Sequence, residues 1–154
     1  MFWVRVDNRL IHGQVIEAWI PFTRTKSLMV VNDELANDVV RQEIMGLAVP
    51  QGIEILYAPV NESIEMVRKK FKSRLSSLFV LFSKCSDARQ AFEKGLVFQS
   101  INIGNIHYGP GRKQICSHIA LSRDDCSCLN FFNKKGVGLD FRCVPHKQIQ
   151  VDEW

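Results

Sequence analysis

The chain has 154 residues, 46% apolar and 23% charged. That length suits one compact domain, expected to span residues 1–154, whose core needs no disulfide or structural metal. Twenty basic against sixteen acidic side chains give a net charge of +4, which fits anionic partners such as phosphoryl groups and is too small and scattered to indicate nucleic acid.

Phe2 to Val6 is the first expected strand, rich in aromatic and β-branched residues. Leu28 to Val31 is the second. Asp33 then suits the cap of a helix in which Ala36, Val39, Val40, Ile44, Leu47 and Ala48 recur at helical spacing. Pro50-Gln51-Gly52 ends it, and Ile53 to Tyr57 is a third strand. Asn61 suits the next cap, before Ile64, Val67 and Phe71; the cluster Arg68-Lys69-Lys70-Phe71-Lys72 reads as a solvated helix face. The unbroken apolar run Leu78 to Phe82 predicts a strand buried on both sides. A helix from about Ser86 stops at Gly95, and Ser100 to Ile103 is a fifth strand. The glycine-rich loop Gly104 to Lys113 follows, then a sixth strand from Ile115 to Leu121 that includes His118. Ser122-Arg123-Asp124-Asp125 has capping-box spacing and opens a helix that ends at Gly136. Val137 to Val144 is the last strand.

This alternation predicts an α/β fold: an open, mostly parallel sheet of about seven strands with helices on both faces. The last strand is allowed to run antiparallel at an edge, a direction the sequence does not settle. Cys85, Cys116, Cys126, Cys128 and Cys143 show neither CxxC pairs nor zinc spacing and read as reduced thiols. No window approaches the roughly 20 apolar residues of a membrane span, and no signal peptide is visible.

In open α/β sheets, ligands bind beyond the carboxyl ends of the strands. The richest segment there is Asp7-Asn-Arg-Leu-Ile-His-Gly-Gln14, leaving a strand and entering a helix. Free N–H groups at a helix start favour an anion. Gly13 lets backbone approach a ligand, Arg9 can grip phosphate oxygens in a fork, and His12 is a nucleophile when one ring nitrogen is unprotonated. Together they supply what phosphoryl transfer requires. Asp7 can orient either the imidazole or Arg9, and the residues do not distinguish which. Gln14 and Ser83, with His107, Arg112 and Lys113 of the glycine-rich loop, are candidate supporting groups in the same crevice. His118 and His146 read as structural or exposed. No Walker A loop, G-x-G-x-x-G spacing or metal-ligand motif is present.

Asp7-Asn-Arg-Leu-Ile-His-Gly-Gln-Val15 resembles the signature of the IIB component of the mannose/fructose/sorbose phosphotransferase family, approximately Asp-Asp-Arg-Leu-Ile-His-Gly-Gln-Val. The resemblance extends through Val30-Val-Asn-Asp-Glu34, Phe82-Ser83 and Ile101-Asn-Ile-Gly-Asn105. It implies that His12 is the phosphorylated histidine, through Nδ1, and that Arg9 contacts the phosphoryl group. It implies a phosphorylated IIA protein or domain as donor, a sugar as acceptor entering through membrane IIC and IID subunits, a cytoplasmic place beside that transporter, and no cofactor. The near-absence of chain before the first strand leads to the expectation that the IIA domain is separate. Asn8 departs from the pattern and removes one negative charge. Three readings compete: a transport phosphocarrier, a regulatory phosphoacceptor with the same histidine, and an anion-binding module without phosphoryl transfer. The sugar and any homo-oligomer are left open.

Overall fold

The computed structural model describes residues 2–71, 77–147, 149, 151, 153 and 154. Lys72, the last residue of the basic cluster, lies outside them; Arg68, Lys69 and Lys70 are exposed, as expected of a solvated helix end.

Six strands form one parallel sheet: β1 (Trp3–Val6), β2 (Ser27–Val31), β3 (Glu54–Ala58), β4 (Leu78–Phe82), β5 (Ser100–Ile103) and β8 (Gly138–Asp140). Their order is β3-β2-β4-β1-β5-β8. Every residue of β2 and β4 is buried, which explains the continuous apolar run of β4. Side chains alternate between faces. Val4, Val6, Met29, Val31, Val80 and Phe82 enter a core beneath α4 (Ser63–Lys70), α5 (Cys85–Glu93) and α6 (Arg123–Lys134). Leu28, Val30, Phe79 and Leu81 enter a second core on the opposite face. Leu10, Ile11, Val15, Trp19 and Leu35 cover it, from the loop and helix after β1 and from α2 (Asp33–Ala36).

Four sequence expectations change. The segment 115–121 is not one strand. Ser117 and His118 make a turn, so β6 (Lys113–Cys116) and β7 (Ile119–Leu121) form a separate antiparallel pair. The last strand is confined to Gly138–Asp140, and it runs parallel to β5 at the sheet edge. The helix expected after Asp33 is two helices, α2 and α3 (Val39–Gly46), because two caps start them. Asn32 accepts from Leu35 N, and Asp38 accepts from Arg41 N. Asp33 instead accepts from Val60 N at 2.7 Å. Finally, Asn61 caps nothing: α4 follows a 3₁₀ turn at Val60–Glu62, and the Asn61 side chain accepts from Gln90 and Lys94.

The helix after β1 starts at Gly13, widens to a π-helical turn over Val15–Trp19 and closes as α1 (Ile20–Thr23). The Ser122 capping box forms as expected, with Ser122 Oγ accepting from Asp125 N and Asp125 Oδ2 accepting from Ser122 N. All five cysteines are free thiols.

Candidate functional site

After β3 the chain returns to lay β4 against β1, and β5 then continues on the other side of β1. The carboxyl end of β1 therefore stands at a topological switch point, where open α/β sheets hold ligands. Three backbone bonds stitch the departing loop to its neighbours: Asp7 N to Phe82 O, Asn8 N to Asn105 O, and Gly104 N to Val6 O, at 2.8–2.9 Å. Within the loop, Leu10 adopts a left-handed φ of 56°, which costs a non-glycine residue about 1–2 kcal/mol. Burial of Leu10 and Ile11 in the second core holds the turn and presents the intervening side chains at the sheet edge.

Asp7 is the hub of the site and is completely buried. Its Oδ2 accepts from His12 Nε2 at 2.8 Å, from Arg5 Nη2 at 2.8 Å and Nε at 3.1 Å, and from Asn105 Nδ2 at 2.8 Å. Its Oδ1 accepts from the backbone N–H of Arg9 at 3.1 Å. Burial alone pushes the Asp7 carboxyl up; the hydrogen bond from His12, the charge of Arg5 and the Asn105 amide together outweigh it and bring the pKa down to about 2. Asp7 is thus an ionised, acceptor-only group at neutral pH. It requires that His12 Nε2 carry its proton, and in the neutral ring the lone pair then resides on Nδ1. The His12 side chain is 13% exposed, so an edge of the ring reaches the surface.

Arg9 is exposed, and its Nη2 donates to Gln14 Oε1 at 3.2 Å. Asn105 Nδ2 donates to the same Gln14 oxygen at 3.0 Å, so Gln14 joins Arg9 to the Asp7 network. Gly13 is exposed at the helix start, with open space where a side chain would be.

The other candidates are placed less centrally. Ser83 accepts from Asn32 Nδ2 at 2.9 Å and lines a hollow of about 280 Å³ with Asn8, Lys84 and Arg112. Arg112 is tied by its Nη1 to Asp125 Oδ2 at 2.8 Å and to Ala120 O at 3.0 Å, so it braces the glycine-rich loop onto α6. His107 is exposed one residue beyond Ile106, and Lys113 lines a different groove, between α5 and α6. No hydrogen bond or ion pair links His107, Arg112 or Lys113 to His12 among the described residues. His118 lies in the β6–β7 turn, not within a strand, with Nε2 3.2 Å from Phe141 O; burial lowers its pKa.

Sequence reasoning missed Arg5 and the role of Asn105. Arg5 is fully buried, stacks 5.0 Å from the Trp19 ring, and donates to Asn102 as well as Asp7. Burial lowers its pKa, countered by the Asp7 charge. The available signal was a charge at the centre of an apolar strand two residues before Asp7.

A family model described as the sorbose subfamily IIB component of phosphotransferase systems matches residues 1–153. The chain belongs to that family. This IIB component is 32% identical over 145 residues to the N-acetylgalactosamine-specific phosphotransferase enzyme IIB component 1 of Escherichia coli (strain K12), covering 94% of this chain and 90% of that protein. The crystal structure of the IIBSor domain of the sorbose permease from Klebsiella pneumoniae superposes with a TM-score of 0.89 at 27% identity, covering 98% of this chain and 93% of the other. The mannose-specific EIIAB component of Escherichia coli (strain K12) is 29% identical over 140 residues, which are 91% of this chain and 43% of that protein. The IIB component is a phosphotransferase of a sugar phosphotransferase system, taking a phosphoryl group from a IIA protein and passing it to a sugar.

Proposed function

We propose that His12 Nδ1 is the atom that carries the phosphoryl group and that Arg9 binds its oxygens. The observation that supports this most directly is the 2.8 Å bond from His12 Nε2 to Asp7 Oδ2. It commits one ring nitrogen to a buried carboxylate and leaves the other as the nucleophile. The Nδ1 lone pair attacks phosphorus on a donor phosphohistidine; the donor P–N bond breaks, and the donor nitrogen keeps its electron pair. A sugar hydroxyl oxygen then takes the phosphorus and gives its proton up to solvent; the P–Nδ1 bond breaks, and Nδ1 recovers its lone pair. Arg9 supplies positive charge to the equatorial oxygens during both transfers. Asp7 holds the imidazole, and Arg5 and Asn105 hold Asp7.

The donor in this reading is a phosphorylated IIA protein or domain, and the sugar arrives through membrane IIC and IID subunits. No helix among the described residues is long and apolar enough to cross a membrane; in this reading the chain works in the cytoplasm at the surface of those subunits. Membership of a sugar-transport family favours transport over the purely regulatory reading.

Incubation with a phosphorylated IIA protein should add one phosphate to the intact mass, and peptide mapping should place it on His12. His12→Ala should remain folded and unlabelled. A label retained on that variant would overturn the assignment, and no label on the wild-type protein would favour simple anion binding. Arg9→Ala should slow transfer about 100-fold, with little change in Tm because the side chain is exposed.

A further inference from the structure

We infer that the groove between α5 and α6 docks an acidic segment of a protein partner. The groove has a volume of about 770 Å³ and lies away from His12. It is lined by Arg89 of α5, Lys113 at the start of β6, and Arg123, Ser127, Asn130 and Lys134 of α6. The four α6 residues fall at spacings of four, three and four, so they occupy one face of that helix.

No carboxylate lines the groove among the described residues. Of the acids near it in sequence, Glu93 accepts from Arg89 Nε at 3.0 Å and Asp125 holds both Arg112 and the Ser122 cap, while the exposed Asp124 is outside the lining. Lys113, Arg123 and Lys134 have no ion-pair partner among the described residues. Phe131 lies in the groove wall and gathers two cations over its ring, Arg89 at 4.4 Å and Lys135 at 5.9 Å. The result is a concave strip in which Lys113 of β6 and Arg123 and Lys134 of α6 carry unpaired positive charge, with amide and hydroxyl groups between the charges.

The spacing selects the occupant. Arg123 and Lys134 are eleven residues apart, about 16 Å along the helix. A single phosphate cannot touch both ends. An extended or helical peptide with several carboxylates can, and the Ser127 hydroxyl and Asn130 amide meet its polar backbone. The concave shape also suits a peptide better than a flat lipid surface.

The test is fluorescence anisotropy with a fluorescein-labelled twelve-residue polyglutamate peptide at low ionic strength. The comparison is wild type, the R123E/K134E double variant, and a charge-matched control, R41E/R68E, on exposed residues elsewhere; circular dichroism checks that each is folded. The expected result is saturable binding that weakens at least tenfold in R123E/K134E and less than twofold in R41E/R68E. Equal loss in both variants would reduce the effect to net charge and overturn the proposal, as would absence of binding to wild type. Displacement of the peptide by inorganic phosphate beyond that by chloride of equal ionic strength would reassign the groove to a small anion. Tighter capture by phosphatidylglycerol vesicles, lost in R123E/K134E, would reassign it to a membrane.

Discussion

Asp7 receives N–H groups from Arg5, Arg9, His12 and Asn105. Its pKa of about 2 lies below the ordinary 3.8, so the folded state holds the ionised form more tightly than the unfolded chain does. The associated stability, about 2 kcal/mol, is fully present above pH 4 and is lost as pH falls toward 2. Urea unfolding between pH 5 and 2.5 should show a falling midpoint, and Asp7→Asn should flatten that slope while lowering stability at neutral pH. An equal slope in the variant would remove Asp7 as the source. At this scale His12 and Arg9 were legible because a loop sequence between strand and helix exposes its chemistry. Arg5 was not, because an arginine in a strand ordinarily marks an exposed position, and only the fold brings Trp19, Asn102 and Gly104 around it.

Gly104 follows β5 directly against the Arg5 guanidinium; a Cβ there would overlap it. Gly104→Ala should therefore displace Arg5 from Asp7 and cost about 1–3 kcal/mol, read as a lower urea midpoint with loss of His12 labelling. Helix α3 teaches the reverse lesson. Its apolar residues recur at helical spacing, yet Val39, Val40, Ile44 and Leu47 are 64%, 66%, 63% and 88% exposed. The Asn32 and Asp38 caps break the helix and rotate α3 onto its other side. There Gln42 donates to Leu35 O and Ala36 O, and Tyr57 donates to Gln42 O. Periodicity reported a stripe but not which side of it the sheet would take. Val40→Lys with Leu47→Lys should change stability by under about 0.5 kcal/mol, measured by thermal unfolding; a larger loss would mean that the stripe is covered.

The parallel sheet was legible because short apolar runs alternate with helical spacing, and the strand alternation feeds two cores of opposite face. The β6–β7 pair was not, because nothing local separates a turn at Ser117-His118 from a polar interruption in one strand. Strand order was equally hidden. Among the described residues the first strand pairs with β4 and β5 alone, so both neighbours of β1 lie beyond residue 77. A fragment ending at residue 71 should accordingly show no cooperative thermal transition by circular dichroism, whereas the full chain should. A cooperative transition in the fragment would mean that β1 finds another partner.

The tether between the imidazole and Asp7 also bears on regiochemistry. A ring held by one nitrogen cannot turn over without surrendering that bond, so any reagent meets the same edge. Treating the folded chain with phosphoramidate should yield a single phosphohistidine isomer at position 12, and treating the urea-unfolded chain should yield a mixture. The carboxylate thereby acts as a protecting group built into the protein.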